Sequence, residues 1–109
     1  MNEPWYSLIE KKKKTMEARL NKFGIEKLKK GDVMEIINKN DRKKSLLVIV
    51  KDRKHYESIE LYLKDCLKQA LPINFMTIEK GIETYRQYIS EQTENEMGIE
   101  ALAIEVFEN

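Results

Sequence analysis

The stretch KKKKTMEARL, residues 11–20, places an amine, a hydroxyl, a carboxylate and a guanidinium within six positions. Read with a two-residue period, Thr15, Glu17 and Arg19 share one face of a strand, and Met16, Ala18 and Leu20 the other. Burial disfavours an ammonium, so Lys14 in a partly dry cleft serves as a base or as a donor to a carbonyl. Glu17 can accept from an exocyclic amine, as carboxylates do from cytosine N4. Arg19 can clamp a phosphate or hold Glu17 in place. The plain structural alternative is a Glu17–Arg19 ion pair beside a solvated Lys14.

Around this row lie further cations. Lys11, Lys12 and Lys13, with Lys27, Lys29 and Lys30, form a candidate phosphate-contacting rim. The same run also reads as a solvated charged face. Tyr56, Tyr85 and Tyr88 are candidates for stacking on a base. Tyr85 falls on an apolar helical stripe, which favours packing. His55 stands alone in KDRKHYE and is expected to be exposed, without a role. Cys66 lies on the core side of a helix, where a thiol is inert.

The elements that must hold these residues follow from periodicity. Residues 5–23 admit two readings. One is a single helix with Trp5, Leu8, Ile9, Met16, Leu20 and Phe23 on a side, interrupted by Lys12 and Lys13. The other is a short helix opened by Pro4, a lysine turn, and a strand. LKKGDVMEIINK carries a Gly31-Asp32 turn and a β-leaning run, and SLLVIV (45–50) reads as a buried strand, so a hairpin is expected. SIELYLKDCLKQAL (58–71) is helical with Ser58 as cap. TIEKGIETYRQYI (77–89) is a second helix capped by Thr77, after a break at Pro72. SEQTENE (90–96) reads as a polar loop, and ALAIEVF (101–107) as a half-buried terminal strand.

Bulk properties bound the function. The 109 residues suit one small domain, spanning 1–109. No stretch approaches the length of a membrane span, and MNEPWYSLIE has no signal-peptide pattern. One cysteine argues for a reducing, cytoplasmic setting, and one Cys with one His leaves too few ligands for zinc. No metal or other cofactor is expected. Residues 1–70 hold 18 Lys and Arg against 11 Asp and Glu, a net of +7. Residues 71–109 hold 2 against 8, a net of −6, and the whole chain carries +1. A basic half of this kind suits a polyanion, and equally keeps a small domain in solution.

Three stretches taken together, EPWYSLIEKKKKTMEARL, LKKGDVMEII and HYESIELYL, resemble the ASCH domain, a PUA-like family. So does the ending MTIEKGIETYRQYISEQTENEMGIEALAIEVF, and the likeness spans roughly residues 4–107. Lys12 stands where the family has a turn glycine. The resemblance implies an α+β fold, a small PUA-like mixed barrel of five to six strands with about three covering helices. It also implies an RNA- or nucleotide-binding cleft contacted by Lys14, Thr15, Glu17, Arg19, Tyr56 and Ser58. Some small members resemble amidohydrolases acting on N-acylated cytidine, and ribonuclease activity has been ascribed to others. In an enzyme of this kind Lys14 and Glu17 would be the catalytic pair. The amidohydrolase-like members use a threonine and a late acid where this chain has Glu17 and Asn74. Three functions therefore stand as expectations: a binding module for RNA or a nucleoside, a hydrolase, and a protein-interaction domain without a ligand.

Overall fold

The lysine run divides the opening stretch. Helix α1 (Trp5–Glu10) ends there, and Lys12 takes a left-handed conformation with φ 65°. This is the backbone geometry that a turn glycine adopts most easily. The amides of Lys13 and Lys14 both donate to Leu8 O, at 2.9 and 3.0 Å, and close the helix. Strand β1 (Met16–Arg19) follows. Of the two readings of residues 5–23, helix, turn and strand is therefore the one adopted.

The structure is a computed structural model that describes residues 1–107. After β1 come a 3-10 turn (Ile25–Lys27), β2 (Val33–Ile37), β3 (Ser45–Tyr56) and α2 (Ile59–Ala70). Then come α3 (Ile78–Arg86), α4 (Glu91–Met97) and β4 (Ile99–Val106). The four strands form one antiparallel sheet in the order β1-β4-β3-β2. It curls into a half-barrel, with a register shift between Val50 and Asp52 in the long β3. The fold is α+β. Among the described residues no helix is long and apolar enough to cross a membrane.

Three expectations need correction. The sheet has four strands among the described residues, not five or six. Residues 1–3 lie beside the end of β2 without forming a strand: Met1 N donates to Ile37 O, and Lys39 N to Met1 O at 2.8 Å. Residues 90–96 are not a loop, because α4 occupies most of them. Ser90 Oγ caps α4 by accepting from Thr93 N, and buried Glu94 ties it to the body of the protein. Glu94 Oε2 accepts from Ile59 N at 2.7 Å, at the start of α2, and Oε1 from Arg86 at 3.2 Å. Finally, β4 is buried on both faces along residues 99–102, not on one.

That double burial comes from two apolar clusters on either side of the sheet. Ile99 and Ala101 pack with Ile59, Tyr62, Leu63 and Tyr85 of α2 and α3. Leu102 and Ile104 pack with Tyr6 and Ile9 of α1 and with Val48 and Val50 of β3. The caps foreseen for the helices are present: Ser58 Oγ accepts from Leu61 N, and Thr77 Oγ1 from Lys80 N.

The first cluster contains two phenols in contact. Tyr62 and Tyr85 meet edge to face at 5.7 Å, with their oxygens 3.3 Å apart. Burial pushes both hydroxyls well above the ordinary value of 10.0, and the negative charge of Glu17 adds to the effect. In the unfolded chain they ionise near 10, so above that pH the folded state holds more protons. Stability is then lost as pH rises, by up to about 1.4 kcal/mol per pH unit for each phenol. Lys14 acts in the opposite sense: burial lowers its pKa, so its contribution rises with pH up to its ordinary value of 10.5. Two phenols outweigh one amine, and beyond that value only the phenols act. In an alkaline titration, phenolate absorbance from these two rings should appear in one step together with loss of the circular dichroism signal. Gradual ionisation in a folded protein would contradict this.

Candidate functional site

Strand β1 and the turn leading into it bring Lys14, Glu17 and Arg19 to one cleft of about 490 Å³. Trp5 of α1 and Tyr85 of α3 help to wall it, and Tyr88, just past α3, stands at its edge. The segment after β1 contributes Lys22 and Phe23, and Lys39 comes from the turn after β2.

Lys14 is 3% exposed and its ammonium is fully engaged. It donates to Met16 O at 2.7 Å and to Ala70 O at 2.5 Å. Ala70 ends α2, where the helix dipole presents its negative pole. The remaining proton faces Glu17 Oε1 at 3.4 Å and the Tyr85 hydroxyl at 3.5 Å. The rings of Trp5 and Tyr85 lie 5.9 and 6.0 Å from the nitrogen. With three protons and these acceptors, Lys14 joins α2 to β1 and sets the position of Glu17.

Glu17 is 7% exposed and lines the cleft. Oε1 accepts from Ala18 N at 3.1 Å, and Oε2 lies 3.4 Å from Arg19 Nη2. Arg19 is partly exposed, yet its Nε is buried and has no hydrogen-bond partner. A buried donor left open is costly unless something accepts from it. The floor of the cleft thus combines a carboxylate acceptor, a half-exposed guanidinium and aromatic walls.

Other residues singled out from sequence lie elsewhere. Thr15 is exposed and borders a separate depression of about 70 Å³ beside Ile104 and Val106. Ser58 spends its hydroxyl on the α2 cap. Tyr56 donates to Asp65 Oδ2 at 2.9 Å, and its ring packs against the α2–α3 cluster. Neither lines the cleft, because β3 runs on to Tyr56 and delivers both residues to the start of α2. Lys11, Lys13, Lys29 and Lys30 are exposed, and with Lys12 they stay off the cleft wall. Asn74 lies in the α2–α3 connection and also stays off it. Lys22 and Lys39 are the lysines at the cleft besides Lys14. Lys39 reaches it only through the long-range contact of residue 39 with Met1, which no local spacing reveals.

His55 has a partner after all. Its Nδ1 lies 2.5 Å from Glu100 Oε2, while its side chain stays half-exposed. Buried Glu100 also holds Arg53, through Nε and Nη2 at 2.9 Å each. Arg53 in turn donates to Ile25 O at 2.6 Å, Leu28 O at 2.8 Å and Asn21 Oδ1 at 2.8 Å. The segment carrying Lys22 and Phe23 is therefore pinned to β3.

No protein-family model and no curated protein matches the chain. Two solved structures do. The crystal structure of the hypothetical protein PH0355 is 32% identical, with a TM-score of 0.79 over 98% of this chain and 100% of that one. The solution structure of PF0455 from Pyrococcus furiosus is also 32% identical, with a TM-score of 0.74 over 100% of both chains. Likeness at this identity over whole chains marks common descent as well as common fold, and the chain belongs to the family of PH0355 and PF0455.

Proposed function

We propose that the cleft binds one nucleoside unit of an RNA or of a free nucleotide, and that the chain is a PUA-like domain of the ASCH type acting in the cytoplasm. The observation that carries this reading is Glu17, a buried carboxylate on the floor of an aromatic-walled cleft ringed by Arg19, Lys22 and Lys39. A carboxylate accepts from the exocyclic amine of cytosine or adenine. Aromatic walls suit the faces of a base, and cations at the edge suit a phosphate. The half-exposed guanidinium of Arg19 is a donor for the ligand. Lys12, with its left-handed φ at the turn where ASCH domains carry glycine, supports the same assignment.

Glu17 sets the expected base preference. Cytidine monophosphate should bind more tightly than uridine monophosphate, and adenosine more tightly than inosine monophosphate, by about tenfold or more. Glu17→Gln should remove most of that preference in a calorimetric titration. Equal affinity for the amino and keto bases in the wild type would sink Glu17 as the reading group. No nucleotide binding even at low salt would sink the proposal and leave the protein-interaction reading. Turnover of an N-acylated cytidine or of RNA that vanishes in Glu17→Gln would move the assignment to a hydrolase.

A further inference from the structure

Phe23 is the least expected side chain at the cleft. Its ring is 90% exposed, although it is a large apolar residue in a small protein. Its backbone is left-handed, with φ 57°, and Gly24 beside it has φ 94°. A phenylalanine pays strain for that geometry, and here the ring gains no core packing in return. The ring borders the cleft, and the Lys22 ammonium lies 5.0 Å from its centre. The segment is held rigidly, since Arg53 bonds Asn21, Ile25 and Leu28 on either side of it. The result is a fixed aromatic shelf with a cation beside it, at the edge of a base-sized cavity. Phe75 is a natural comparison. It is equally exposed and has φ 64°, but it borders neither cavity and no lysine lies over its ring among the described residues.

Building on the nucleoside reading of the cleft, we infer that Phe23 is a second base-binding site. It stacks the nucleotide next to the one in the cleft, and Lys22 contacts the phosphate between them. The ligand is then single-stranded RNA of at least two nucleotides, not a free nucleoside. Stacking suits this position because any base offers a π-face, while the cleft supplies the selectivity.

The test compares cytidine and adenosine monophosphates with tetracytidylate and tetraadenylate, by calorimetry near physiological salt. The tetranucleotides should bind at least about tenfold more tightly than the monophosphates. Phe23→Ala should weaken tetranucleotide binding by about tenfold, the size of one base–aromatic stack, and monophosphate binding by less than about twofold. Phe23→Trp should restore the tetranucleotide, and Phe75→Ala should change neither ligand. The inference is overturned if tetranucleotide and monophosphate bind equally, or if Phe23→Ala affects both alike or neither. It is also overturned if Phe75→Ala costs as much, because exposed aromatics would then act without regard to place. Those results leave the cleft reading standing. Absence of binding by either length overturns both.

Discussion

Lys14→Met should cost about 3–5 kcal/mol of folding stability, the usual penalty for removing one partner of a buried, hydrogen-bonded charge pair. The side chain is 2% exposed, so solvent cannot replace what it loses. Three acceptors are left behind: Met16 O, Ala70 O and the Glu17 carboxylate. Methionine fills the volume but offers no proton to any of them. For a domain near this size, each kcal/mol moves Tm by about 4–8 °C, so a fall of roughly 12 °C or more is expected. The double variant Lys14→Met with Glu17→Gln should recover at least about 1 kcal/mol, because the stranded carboxylate is then neutral. Denaturant titration of the four proteins measures both numbers. A Lys14→Met protein within about 1 kcal/mol of wild type would show that the ammonium is not a structural tie. The expected result also constrains binding work. A Lys14 variant that fails to bind RNA reports chiefly on the fold, so recognition is tested cleanly at exposed Phe23, and at Glu17 by the ratio of amino to keto bases, which a change in stability does not move.

Glu17 and Arg19 on one strand face were legible because a strand's period is local, and the cleft contains both. Lys14 is out of phase with that face and enters the cleft from the turn before β1, while Thr15, which the period groups with them, lies outside it. The division of roles was not legible. Sequence reading offered Lys14 as a base or as a solvated cation, but burial against Ala70 O depends on where α2 ends, more than fifty residues away. The hairpin and the Ser58 and Thr77 caps were legible for the same local reason. Helix α4 was not, since EQTENEM has no apolar stripe and its hold on the fold is one carboxylate, Glu94, on the first turn of α2. The second buried face of β4 was equally hidden. Alternation of small and large residues reads as one wet face, whereas here Ala101 lies buried against α2 and α3. One of the two readings of residues 5–23 makes Phe23 one more residue on a helical stripe. Only the placement of its loop by Arg53 turns it outward beside the cleft.

Gly98→Ala should be nearly as damaging as the loss of Lys14, at about 3 kcal/mol or more. Gly98 ends α4 and starts β4 with φ 64° and ψ −156°, a region that side chains avoid. A Cβ there would meet Tyr56 O at 2.6 Å and the His55 ring at 2.7 Å. The half-exposed histidine can move aside. The carbonyl cannot, because it belongs to the end of the β3–β4 ladder, where Tyr56 faces Ile99. The start of β4 must then shift, and Glu100 shifts with it. Glu100 holds Arg53, and Arg53 holds the backbone at Ile25 and Leu28. Damage at Gly98 should therefore reach the Phe23 shelf. Gly24→Ala is the control: φ is 94° there too, but a Cβ would meet nothing within 4 Å, so the cost should stay near 1 kcal/mol. Hydrogen exchange on Gly98→Ala should show amides 99–101 and 21–28 losing protection together. Loss confined to 99–101 would mean that Arg53 does not transmit the strain, and the shelf would then be fixed by its own turn alone.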